Sequence, residues 1–156
     1  MIYQIDQSGK VEQTNINTVI ALANERDFSI LLKKQDKRIL EKIFRRINKA
    51  KIFPYVIFSV LLAIIFKSIQ INHKVIIDKE YLGHENFIRE RMIFYLRCLK
   101  VKNIPPIEFS QIGKTAKAHQ LAFEVGHNKK KVNKVVKLGE VLKIIFAKKN
   151  DRVSAS

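Results

Sequence analysis

Short apolar runs open the chain, and helical periodicities follow them. Ile2-Tyr-Gln-Ile5 is a β-favouring run that ends in Asp6-Gln7-Ser8-Gly9-Lys10, where Ser-Gly supplies turn chemistry. Thr18 to Ala23 and Phe28 to Leu32 are two further apolar runs, and the polar stretch Asn24 to Asp27 between them predicts a tight hairpin. From Asp36, read as a helix cap, the period changes. Ile39, Leu40, Ile43, Phe44 and Ile47 share a stripe from which Lys37, Arg38, Lys42, Arg45 and Arg46 are excluded. Pro54, tolerated in a first helical turn, starts an almost wholly apolar and therefore buried helix running to Ile69.

The second half alternates. His73 to Asp78 predicts a fourth strand. Gly83-His84-Glu85 opens a helix carrying Phe87, Ile88, Met92, Tyr95, Leu96 and Leu99. Pro105-Pro106 interrupts the pattern before a fifth strand, Ile107 to Ile112, and a helix from Gly113 to Val125 with Ala118, Leu121, Ala122 and Val125 inward. A basic loop, Asn128 to Lys131, leads to an amphipathic repeat over Val135 to Phe146, and Asp151 to Ser156 read as a frayed tail. The expectation is one α/β domain over residues 1–150. Its elements run βββαβαβα, with strands 1, 4 and 5 parallel in a mixed five-stranded sheet flanked by helices.

Charge narrows the partners. The 156 residues carry 30 Lys plus Arg against 14 Asp plus Glu, a net +16, and a polyanion such as nucleic acid would relieve that repulsion. Drift in a Lys- and Ile-rich composition would give the same surplus without a partner. The lone Cys98 rules out an intrachain disulfide and a cysteine-built zinc site, and fits a reducing, cytoplasmic setting. No secretory signal is read at the N-terminus. Ile52 to Phe66, about 15 residues, falls short of the roughly 20 needed to span a bilayer, so a membrane partner is not expected. Phosphate-binding glycine loops and serine or cysteine nucleophile signatures are missing, which argues against an ATPase or serine hydrolase and against a small-molecule cofactor.

If strands 1 and 4 are neighbours, Asp6 and Asp78 emerge at one carboxyl edge of the sheet, where ligands of open α/β folds gather. The element order, Ile5-Asp6-Gln7-Ser8-Gly9 and Val75-Ile-Ile-Asp78-Lys-Glu80 together resemble the ribonuclease H-like superfamily, nearest to its RuvC-type resolvases, over residues 1 to 126. The resemblance implies a metal-dependent nuclease acting on structured DNA or RNA. It implies Mg²⁺ (or Mn²⁺) held by Asp6, Asp78 and either Glu80 or Glu85, with Glu80, Glu85 and His119 as the further catalytic candidates. The late helix offers His119 and Glu124 where the family supplies an Asp. Five helical residues turn Glu124 about 140° from His119, so the two do not face one metal. Glu85 has a competing role at a helix start, where the dipole favours an acid. Lys114 and Lys117, one turn apart, and the run Lys129, Lys130, Lys131 are candidate phosphate contacts, although solvated lysines would look the same. A binding module of the same fold without catalysis is the rival reading, and a junction-cutting activity would call for a homodimer.

Overall fold

The computed structural model describes residues 1–147. The expected tail, Asp151 to Ser156, and the last three residues of the expected domain lie outside the described residues. Six strands and five helices follow one another as β1 (Ile2–Ser8), β2 (Thr18–Ala23), β3 (Phe28–Leu32), α1 (Lys34–Arg46), α2 (Phe53–Ser68), β4 (Lys74–Asp78), α3 (Glu85–Cys98), β5 (Ile107–Ser110), α4 (Lys117–Gly126), β6 (Lys134–Val135) and α5 (Leu138–Ile145). The strands form one mixed sheet in the order β5-β4-β1-β2-β3-β6. Hairpin pairs β1/β2 and β2/β3 are antiparallel, whereas β1/β4, β4/β5 and β3/β6 are parallel.

The two faces of the sheet bury different side chains, as strand alternation requires. Tyr3, Ile5, Ile20, Leu22, Ile30, Leu32, Val75 and Ile77 join the large core under α2, α3 and α5. Val19, Ala21 and Ala23 meet Ala118, Leu121, Ala122 and Val125 of α4 in a second, thinner cluster. Every inward residue expected of α4 is buried there. Small side chains on both partners let α4 lie close to the strands. At its C-terminal end, a Cβ on Gly126 would come within 2.8 Å of the Ser8 hydroxyl oxygen.

Several expectations need correction. The sheet has a sixth strand, β6, whose two residues pair with Ile30 and Leu31, too short a run to carry any alternation. The last helix therefore begins at Leu138 rather than Val135. The helix expected from Gly113 begins at Lys117, because residues 113 to 116 form a turn closed by the Ala116 amide on the Gly113 carbonyl. Strand β1 continues through Asp6, Gln7 and Ser8, which pair with Ala21, Ile20 and Val19. The chain bends instead at Gly9, where φ is +78° and any Cβ would collide with the Asn17 carbonyl oxygen. The apolar helical stretch Ala50–Ser68 is 19 residues, long and apolar enough to cross a membrane by length and composition, so the expected shortfall does not hold. Pro54 sits in the first turn of α2 and does not interrupt it, and twelve side chains of that helix are buried in the core.

Helix α1 differs most from its pattern. Lys37, Leu40 and Phe44 are buried, while Ile39 and Ile47 are more than two-fifths exposed. The cause is polar. The Lys37 Nζ donates to the carbonyls of Lys10 (3.0 Å) and Gln13 (2.7 Å) and to Thr18 Oγ1 (2.8 Å), tying the helix to the loop after β1. The helix starts at Lys34, whose amide is capped by Asn17 Oδ1 at 2.9 Å, so Asp36 lies in the first turn and is not the cap. Burial pushes the Lys37 ammonium down to about 8, opposed by the negative charge of Glu12. Replacing Lys37 with Met should cost about 1–3 kcal/mol of unfolding free energy, since it strands buried acceptors while keeping the apolar stem. Urea denaturation of the two proteins at neutral pH measures this, and equal midpoints would refute the role given to the ammonium.

Candidate metal centre at the carboxyl edge of the sheet

Parallel pairing sets the geometry. Ile5 is in register with Ile77, so the next residue in each case, Asp6 and Asp78, lies at the same edge of neighbouring strands. Asp6 is 3% exposed. Its Oδ1 accepts the Gln7 amide at 2.7 Å, and its Oδ2 lies 2.8 Å from His119 Nδ1 on α4. An ionised carboxylate only accepts, so Nδ1 carries the proton of that bond. Asp78 Oδ1 accepts the Ile112 amide at 2.7 Å, a bond that anchors the chain just after β5.

Glu80 completes the group. One carboxylate oxygen each from Asp6, Asp78 and Glu80 lies within 4.8 Å of the others. Burial, then hydrogen bonding to Asp78 and the charges of Asp78 and Asp6, push the Glu80 carboxyl up to about 8. Among the described residues, none of the three is ion-paired with a lysine or arginine; their ionic partner is His119 on Asp6. The lysines beside the group, Lys79 and Lys114, do not pair with its carboxylates. Three hard oxygen donors that repel one another suit a divalent cation, so the cluster could hold a metal ion.

The cluster faces a cleft of about 450 Å³ lined also by Lys79, Ile112, Lys114 and His119. Of the basic candidates, Lys114 lines this cleft, whereas Lys117 is exposed at the first position of α4. Lys129, Lys130 and Lys131 line a separate recess of about 380 Å³ beyond the far end of that helix. Lys130 makes a loose ion pair with Asp27 at 3.8 Å, half-exposed on both sides and therefore weak.

Glu85 is not brought into the cluster. Its Oε2 accepts the His84 amide at 3.0 Å, the local helix-start role open to it from the sequence. His84 stacks on Tyr55 with ring centroids 3.8 Å apart. Glu124 is exposed and outside the carboxylate group, in keeping with its angular offset from His119. Two contributors had no sequence signal: the Ile112 amide, and Tyr81, whose hydroxyl receives the Val11 amide (3.1 Å) and Gln7 Nε2 (3.3 Å). Burial raises the Tyr81 phenol well above its ordinary range, so the hydroxyl stays protonated and links β1 to the loop beside it.

No protein-family model matches this chain, and no curated protein or solved structure matches it significantly. The chemistry of the site therefore rests on its own geometry.

The raised Glu80 carboxyl has two consequences of defined sign. In the metal-free fold Glu80 keeps its proton up to about pH 8, whereas the unfolded chain loses it near 4.5. Stability should therefore fall as pH rises through that window, and Glu80→Gln should flatten the fall. A cation entering the cluster must displace the proton, so divalent affinity should climb by up to about tenfold per pH unit and level off near 8. Calorimetric titration with Mn²⁺ and thermal melts in EDTA across pH 5 to 9 read both. A pH-independent affinity would overturn the assignment of Glu80 as a ligand.

Proposed function

We propose that the protein is a metal-dependent nuclease that hydrolyses phosphodiester bonds in structured DNA or RNA, built on a ribonuclease H-like domain. The observation that carries this reading is the meeting of Asp6, Asp78 and Glu80 within 4.8 Å at the carboxyl edge of two adjacent parallel strands. Support for the fold comes from the run of three leading strands, the parallel β1/β4 and β4/β5 pairs and the late helix packed over β1. The departure from the family is His119 where an Asp is usual.

Asp6, Asp78 and Glu80 would hold Mg²⁺ or Mn²⁺. Such an ion, if bound there, would supply polarisation of a phosphate oxygen and a more acidic water. The chain's own groups do the rest. The Gln7 amide and His119 fix the two oxygens of Asp6, and the Ile112 amide fixes Asp78, so both carboxylates are oriented before substrate arrives. His119, which lines the same cleft, would be the group that carries a proton there. Lys114, in the same cleft, would neutralise an incoming backbone, and the net charge of +16 would draw the polyanion from a distance.

The test is cleavage of labelled duplex DNA, a four-way junction, duplex RNA and an RNA–DNA hybrid, each with Mn²⁺ or EDTA. Metal-dependent cutting is expected on at least one substrate. Asp6→Asn and Asp78→Asn should each lower its rate by about a hundredfold or more. His119→Ala, which frees Asp6 without removing it, should cost about ten- to a hundredfold. Salt-sensitive binding without cutting in Mn²⁺ would refute the nuclease and leave a non-catalytic nucleic-acid-binding module.

A further inference from the structure

Phe123 departs from the pattern of its helix. The buried stripe of α4 is Ala118, Leu121, Ala122 and Val125, while Phe123 is 45% exposed. A single exposed aromatic is ordinary, but this one is held in place. Its ring stacks on His127, with centroids 4.0 Å apart and planes inclined by 28°. His127 is itself fixed, because its Nδ1 lies 2.8 Å from the Phe123 carbonyl oxygen at the end of the helix. The Lys129 ammonium sits over the Phe123 ring, 5.5 Å from its centroid.

The position of the ring matters as much as its support. Phe123 lies in a recess of about 510 Å³ with Lys114, His119, Gln120, Glu124 and Lys129. That recess shares Lys114 and His119 with the carboxylate cleft and shares Lys129 with the recess lined by Lys130 and Lys131. One track therefore runs from the carboxylates along α4 to the basic loop. Phe123 is one helical turn beyond His119, a rise of about 6 Å along the axis, within reach of a single nucleotide.

We propose that Phe123, backed by His127, is a stacking platform for one unpaired nucleobase. Its polynucleotide would run along the track between Lys114 and the Lys129–Lys131 loop. A nucleobase offers the flat π-face that a supported phenyl ring takes up, and the lysines at both ends match the phosphates on either side of it. Lys129 is a long, mobile side chain, and a phosphate would draw its ammonium off the ring and open that face to the base. Bases inside a duplex have no free face. The site therefore selects single strands, or unpaired bases at a junction or end. The inference rests on the nuclease reading for what happens at the carboxylates, but the stacking itself needs no cleavage.

The experiment uses the full chain in EDTA, with a single-stranded oligonucleotide carrying 2-aminopurine and a duplex closed by hairpins at both ends. Wild type should bind the single strand more tightly, with quenched 2-aminopurine fluorescence. Phe123→Leu should abolish the quench and weaken single-strand binding by about five- to a hundredfold, leaving the closed duplex unaffected. Phe123→Tyr should keep both. Wild-type affinity and quenching in Phe123→Leu would overturn the platform, as would equal binding of polyglutamate, which would mark the track as a surface for acidic protein. Stacking without cleavage under Mn²⁺ would remove the nuclease reading alone, and cleavage without stacking would remove this inference alone.

Discussion

The site exists because β1 and β4 pair in parallel with Ile5 opposite Ile77. A slip of one residue would turn Asp6 or Asp78 to the other side of the sheet, into the apolar core beneath α2. The register is guarded by that core. Tyr3, Ile5, Val75 and Ile77 are all nearly or completely buried, so a slip would expose them and bury charge at the same step. The apolar demand of one face thereby fixes the position of the acids on the other. Helix α2, buried along almost its whole length, packs in the same core.

Against this rigid backing the carboxyl edge is under electrostatic tension. Most of the lysines and arginines are exposed at the surface, where salt and water screen them. The acids are gathered where screening is poor, with a histidine as their one ionic partner among the described residues. Such an arrangement destabilises the metal-free chain, as the raised Glu80 carboxyl reports. A cation held by the three carboxylates would relieve a penalty of this kind.

The legible part of the sequence was what periodicity and topology control. The α4 stripe of Ala118, Leu121, Ala122 and Val125 is fully recovered, as are the buried α2 and the hairpin between β2 and β3, because each rests on a run of several residues. Asp6 and Asp78 could be brought together from element order alone. What stayed hidden depends on contacts between distant residues. Lys37 looks like a surface lysine until the Lys10 and Gln13 carbonyls are seen around its ammonium. Strand β6 is two residues long and exists only because β3 offers an edge. Glu85, by contrast, kept its local role at a helix start, since a residue bonded to its own neighbour is not available at a distance.

The link between α4 and the strands decides whether the acids act as a group. His119 reaches Asp6 at 2.8 Å only because the helix lies close to the sheet, and it lies close because the facing positions are small. Asp6 pairs directly with Ala21, and Ala23 follows on the same face of β2, opposed by Ala118 and Ala122 on the helix. Larger side chains there would bury more apolar area, yet they would lift the helix and leave Asp6 without its imidazole. The thin cluster is thus a compromise in which hydrophobic burial is limited so that a polar contact can form. The opposite, deeper core makes that compromise tolerable, since the sheet does not depend on α4 for most of its stability. A fold with one thick apolar face and one thin one can hold a buried carboxylate beside a partly exposed histidine.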